Sequence, residues 1–209
     1  MKRKLSFLLM TVMLMVGAVV NAQTPDQIVQ RMSKELDRAN TEGFQMDFGM
    51  KMPIVGWVMT HTWVSGNKYK IETKIQDKHS IIWTDATTRW DYNVQDNIIT
   101  ISNKGQAEGG SDTNLSLMSG VTDGYDVKLK KETADAWYLE CKKQRSNKDK
   151  DAPKKMDFIV SKTTYLPIKM STKVSVFTIS MENISLGVKE SEVTFNPAKY
   201  PNVKIVDNR

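Results

Sequence analysis

Apolar positions follow three regimes along this chain. Leu5 to Val20 form a continuous apolar run behind Lys2, Arg3 and Lys4, and the run closes on Val20-Asn21-Ala22, with small residues at the −3 and −1 positions of a signal-peptidase site. The run is short for a membrane span, which needs about 20 apolar residues, so it reads as a signal peptide over residues 1–22 rather than a retained anchor. From residue 24 the spacing turns helical: Ile28, Met32 and Leu36 recur at i, i+4 and i+8 with Val29 beside them, opposite Gln30, Lys34 and Asp37. Thr24-Pro25-Asp26-Gln27 supplies an N-cap, a proline at the first helical position and capping-box spacing, and Asn40 and Gly43 supply the stop.

After Gly43 the period drops to two. In FQMDFGMKM the side chains of Phe44, Met46, Phe48, Met50 and Met52 fall on one face of a strand, with Gln, Asp, Gly and Lys between them. Strand patterns continue through Thr60 to Val64, Tyr69 to Ile75, Ile81 to Trp83, Trp90 to Val94 and Ile99 to Ile101, with turns at Ser65-Gly66-Asn67, near Asp85, and at Gln95-Asp96-Asn97. Asn103 to Asn114 reads as a long loop, and Leu115, Leu117, Met118 and Val121 as a short helix after it. Alternation returns in Tyr125 to Leu129, Trp137 to Cys141, Met156 to Val160, Leu166 to Met170, Phe177 to Met181 and Val193 to Phe195, while Val203 and Ile205 form a tail along an edge. About ten or eleven strands against one clear helix predict a mainly β fold with α, a highly curved antiparallel sheet or barrel rather than a sandwich.

Removing residues 1–22 leaves one domain over residues 23–209, long enough for a single core. Three of the 30 basic residues lie in the removed segment, so the remainder exceeds the 24 acidic residues by only three, too weak a field to argue for nucleic acid. Cys141 is the one cysteine and reads as a small buried hydrophobe. His61 and His79 have no ligand-spaced partners, and no nucleophile elbow, phosphate loop or dinucleotide motif occurs. The expectation is therefore no enzyme, no metal, no cofactor and no catalytic residue. What stands out is the kind of apolar residue: nine methionines and five tryptophans after the signal, a composition able to repack around ligands of varying shape, although methionine is also ordinary core filler.

Several segments in order resemble the periplasmic outer-membrane lipoprotein carrier family (LolA-like). These are the helix from Ile28 to Leu36 followed by Met46-Asp47-Phe48, then TDATTRWDYNVQDNIITIS (Thr84 to Ser102), YLPIKM (Tyr165 to Met170) and VTFNPAKYPNVKIVD (Val193 to Asp207). The chain departs from the family at GNKYKIET (Gly66 to Thr73), where an arginine that helps hold the lid closed is absent and Lys68 or Lys70 stands as the possible lid contact.

The resemblance implies an unclosed β-barrel of about eleven strands covered by the N-terminal amphipathic helix and a short lid helix, in a periplasmic protein of a Gram-negative cell that acts as a lipoprotein chaperone in protein transport and outer-membrane biogenesis. Its cargo would be the acyl chains of lipoproteins or related amphiphiles, its partners an inner-membrane releasing complex and an outer-membrane acceptor, its state a monomer. Phe44, Met46, Phe48, Met50, Met52, Trp63, Ile71, Trp83, Trp90 and Tyr92 are expected to line the cavity. Ile28, Met32, Leu36, Leu115, Leu117 and Met118 are expected to form the lid, with the 103–114 loop as hinge slack. Alternative readings are a lipoprotein-sensing or regulatory module on the same fold, and a structural protein whose core is packed solid.

Overall fold

A computed structural model describes residues 23–105 and 122–209. Residues 1–22, expected to be a signal peptide, most of the 103–114 loop, and Leu115, Leu117, Met118 and Val121 lie outside the described residues. Helix α1 spans Pro25–Asp37 and is capped as its sequence requires: the Gln27 N–H donates to Thr24 Oγ1 at 3.3 Å and the Thr24 N–H donates to Gln27 Oε1 at 3.0 Å. Its apolar stripe, Ile28, Val29, Met32 and Leu36, is buried, each such side chain contributing about 1.5 to 3 kcal/mol. A one-turn helix α2, Ala39–Glu42, follows and ends at Gly43. Gly43 has φ 70°, and a Cβ there would meet the carbonyl oxygens of Val188 at 2.6 Å and Val64 at 2.7 Å, so only glycine lets the chain pass from helix to sheet.

Twelve strands form one sheet: β1 (Phe44–Met52), β2 (Gly56–Ser65), β3 (Lys68–Ile75), β4 (Lys78–Thr84), β5 (Thr88–Asn93), β6 (Ile98–Asn103), β7 (Tyr125–Glu132), β8 (Ala136–Lys143), β9 (Lys155–Ser161), β10 (Pro167–Val174), β11 (Phe177–Leu186) and β12 (Lys204–Asp207). The order β12-β6-β5-β4-β3-β2-β1-β11-β10-β9-β8-β7 is two antiparallel meanders, β1 to β6 and β7 to β11, joined where β1 pairs with β11. The edges β12 and β7 are not joined by hydrogen bonds, so the curled sheet stays open. β12 runs parallel to β6 as an edge strand. Val193 and Phe195 are not in a strand: Glu190–Val193 form a short helix α3, and Phe195 lies in the segment leading to a 3-10 turn at Pro197–Lys199.

Register shifts between Gln45 and Asp47 opposite β11, between Pro167 and Lys169 in β10, and between Leu129 and Lys131 in β7 all fall in or beside the second meander. A bulge bends its strand and raises local twist, which curls this half of the sheet. Each also resets the alternation. Ile184 can therefore belong to the helix-covered core with Met181 packed against its margin, and Ile168 is left exposed beside the buried Pro167 and Met170.

Residues paired directly across antiparallel strands share a face. The inner face carries α1 and one core, which joins Phe44, Met46, Val64 and Tyr69 to Trp137, Leu139, Met156, Phe158 and Met170. The outer face carries another. There Val188 and Val193 are buried over β2 and β3, and Ile99, Ile101 and Trp83 are buried near them. Phe195 stacks on Trp90 with ring centroids 5.3 Å apart, and Tyr200 meets Trp83 at 5.6 Å and Tyr92 at 5.1 Å. The sheet is thus apolar on both faces, each with its own cover.

Candidate functional site

The inner core does not fill the curl. Beyond the end that α1 covers, an apolar hollow of about 320 Å³ is bounded by Phe48 of β1, Met156 and Phe158 of β9, Met170 of β10, and Ile179 and Met181 of β11. Pro153 closes one side, with Ser171, Thr172 and Ser180 completing the wall. Register places these side chains together: Phe48 lies opposite Met181, Met181 opposite Met170, and Met170 opposite Phe158. The volume is about twice that of an engineered 150 Å³ apolar cavity that stays dry and binds benzene, and it sits at the low end of small-molecule sites, roughly 300 to 1,000 Å³. Met156, Met170 and Met181 line it, so its shape can adapt to its occupant.

The residues singled out from sequence divide between the two faces. Phe44, Met46, Phe48, Met50, Met52 and Ile71 share the inner face, since Phe44 pairs with Val64, Met46 with Thr62 and Thr62 with Ile71. Phe44 and Met46 are packed beneath α1, and Phe48 reaches the hollow. Trp63, Trp83, Trp90 and Tyr92 are corrected to the outer face. Trp63 pairs with Lys70, Lys70 with Trp83, and Trp83 with Trp90, one ladder of opposite parity that the 188–201 segment covers in part. Lys68 and Lys70 stand on the same outer face and do not reach α1. Lys68 Nζ donates to Glu190 Oε1 at 2.6 Å, fastening α3, and Lys70 Nζ lies 4.3 Å from the Trp63 ring centroid.

The helix is held from the other side. Arg31 Nη1 donates to Tyr165 Oη at 2.8 Å, and Gln23 Nε2 donates to the same oxygen at 2.9 Å. The guanidinium lies 5.1 Å from the Tyr165 ring, which itself packs on Trp137 at 5.3 Å. Tyr165 sits at φ 58°, a left-handed conformation that is unfavourable for an aromatic residue and is fixed here by these contacts. Of the lid residues expected from sequence, Ile28, Met32 and Leu36 are buried in the inner core.

The polar clusters are of an ordinary structural kind. The Glu140 side chain is enclosed by Lys155 at 2.8 Å, Lys142 at 3.5 Å and Lys130 at 3.8 Å, and the hydrogen bond from Lys155 leads in holding its carboxyl at about 2. Burial pushes the Cys141 thiol up to about 12, which removes the thiolate that reactive chemistry needs. His61 Nδ1 contacts Asp47, and His79 Nε2 lies 2.9 Å from Glu72, both on the outer face. Among the described residues, no three His, Cys, Asp or Glu side chains converge as metal ligands. The hollow itself presents no charged group, so what it can do is exclude water from an apolar chain.

No protein-family model and no curated protein sequence matches the chain. Similar solved structures include an uncharacterized conserved protein from Thermus thermophilus, at 14% identity and TM-score 0.46, covering 89% of this chain and 100% of that one. The Pseudomonas aeruginosa MucA/MucB complex structure is similar at 13% identity and TM-score 0.44, covering 81% of this chain and 60% of that one. A LolA superfamily protein from Nitrosomonas europaea is similar at 12% identity and TM-score 0.36, covering 85% of this chain and 100% of that one. At these identities the likeness is one of fold.

Proposed function

We propose that this protein is an exported carrier that shields acyl chains in the inner-face hollow and moves lipoproteins, or amphiphiles like them, between the inner and outer membranes. The observation that carries this reading is the hollow bounded by Phe48, Met156, Phe158, Met170, Ile179 and Met181: oily walls with no charged group. Its walls leave apolar surface facing water, which costs about 25 cal/mol per Å² relative to covering it. An acyl chain covers that surface, each buried methylene contributing about 0.8 kcal/mol. Association costs roughly 4 to 15 kcal/mol, so the net affinity is modest, as suits a protein that must release what it carries. Residues 1–22 direct the chain to the periplasm in this reading, which is where such a carrier works.

The test places a charge in the middle of the hollow. Met181 is half-buried and lies between Phe48 and Met170, so Met181→Glu puts a carboxylate among acyl carbons without opening the packed core under α1. In a titration with a fluorescent fatty-acyl probe, the variant is expected to bind at least about tenfold more weakly than wild type, with an unchanged circular dichroism spectrum. Equal affinity in the two proteins would remove the hollow from the account.

A further inference from the structure

Two hairpin tips stand side by side at the end of the sheet away from α1. Lys51 pairs with Trp57 across the β1–β2 hairpin and with Thr178 of β11, and Val174 pairs with Phe177 across the β10–β11 hairpin. A tip that faces water uses Gly, Asn, Asp or Ser, as at Gly66-Asn67 and at Gln95-Asp96-Asn97 of this same sheet. These two tips keep one such residue each, Gly56 and Ser175, and add Ile54, Val55 and Val176. Ile54 is 103% exposed and Val176 62%, with Val55, Trp57, Val174 and Phe177 exposed around them.

Directly beside the tips the charge is basic. Residues 48–71 and 158–181 contain no Asp or Glu, while Lys51 and Lys173 are exposed at the base of the two tips. The turn between β8 and β9 lies at the same end, because Thr172 of β10 pairs with Met156 and donates to the Lys155 carbonyl at 2.8 Å. Its exposed Arg145, Lys148, Lys150 and Lys154 outnumber Asp149 and Asp151. Apolar side chains bordered by an excess of lysine and arginine, with Asp77 of the β3–β4 turn, Asp149 and Asp151 as acidic exceptions at this end, match an interface with apolar interior and negative surface, which is an anionic bilayer. The hollow lies close by: Thr172 and Ile179 in its wall pair with each other two residue positions, about 7 Å, from Val174 and Phe177.

We propose that the β1–β2 and β10–β11 tips form a docking surface for anionic phospholipid bilayers, seating the mouth of the hollow against the membrane so that an acyl chain passes without crossing water. Passage of the chain rests on the carrier reading; docking does not. The full mature protein is to be sedimented with vesicles of phosphatidylethanolamine and phosphatidylglycerol, and with vesicles of phosphatidylcholine alone. The anionic vesicles are expected to bind it more tightly, with bromolipid quenching of Trp57 that Trp57→Phe abolishes. Ile54→Glu with Val176→Glu, both at exposed turn positions that folding does not need, should weaken binding at least about tenfold. Lys51→Gln and Lys173→Gln should each weaken it about fivefold. The acyl-probe titration in these variants should match wild type, so loss of docking and loss of cargo binding are read separately. Equal sedimentation of wild type and the double variant would overturn the proposal. So would failure to bind anionic vesicles, or a concentration-dependent dimer that the same double variant abolishes.

Discussion

Replacing Phe158 with alanine is expected to cost about 3 to 5 kcal/mol of folding stability, read from chemical denaturation midpoints at constant slope. Phe158 is 1% exposed and lies between Leu139 of β8 and Met170 of β10, where the packed inner core meets the wall of the hollow. The bulged second meander is already curled around it, so the strands have little freedom to close over the lost ring. A saturating acyl ligand that binds only the folded protein should return part of the loss, about 2.7 kcal/mol when present at 100 times its dissociation constant. A loss below about 1 kcal/mol would mean that this region collapses freely and that the hollow is not built into the fold.

Val193→Asp is the second large effect. Val193 has no exposed surface and belongs to the outer core, where α3 packs on β2 and β3. Lys68, the lysine that fastens α3, is already engaged by Glu190 on the exposed side, so a carboxylate at 193 would have to draw a lysine out of its existing contacts. Burying such a charge unpaired costs several kcal/mol, more than the short α3 contact returns, so the segment from Val188 to Tyr200 is expected to detach. Trp83 and Trp90 then lose Phe195 and Tyr200 from their faces. The expected result is a red shift of tryptophan emission with the inner core, and acyl-probe binding, retained. Simultaneous loss of both would show that the two faces are not separate layers.

That division also explains how much of the molecule is legible in its sequence. Thr24 to Gln27 spells its own cap, and Ile28, Met32 and Leu36 can share only one stripe of a helix, so α1 is readable from local chemistry. Strands from Phe44 to Ile101 are readable for the same reason, since period two is a property of the backbone. Which face points inward is not. Alternation says that Trp90 and Tyr92 share a side and that Phe44 and Met46 share a side, but both sides are apolar here and each has its own cover. The cover on the outer side, Val188 to Tyr200, carries Val193 and Phe195 at strand spacing, yet Glu190 to Glu192 wind into a helical turn and the register is lost.

Bulges hide the rest. Around Asn183 and Ile168 the alternation slips by one, so the inner positions of β10 and β11 cannot be counted from either end, and Met170 and Met181 are identified as cavity walls only by their cross-strand partners. Arg31 and Tyr165 are beyond reach for a different reason: their contact spans 134 residues, and nothing local marks it. The apolar tips are accessible in principle, because Ile54-Val55 and Val176 occupy turn positions where turn-forming residues are the rule.

The hollow is central to the carrier reading, and native mass spectrometry of the protein purified gently from its own cell envelope tests it most directly. The expected result is a population heavier than the polypeptide by the mass of an acylated molecule, which Met181→Glu eliminates. A bare polypeptide mass under conditions that preserve a known lipid–protein complex, together with no acyl-probe binding, would contradict it.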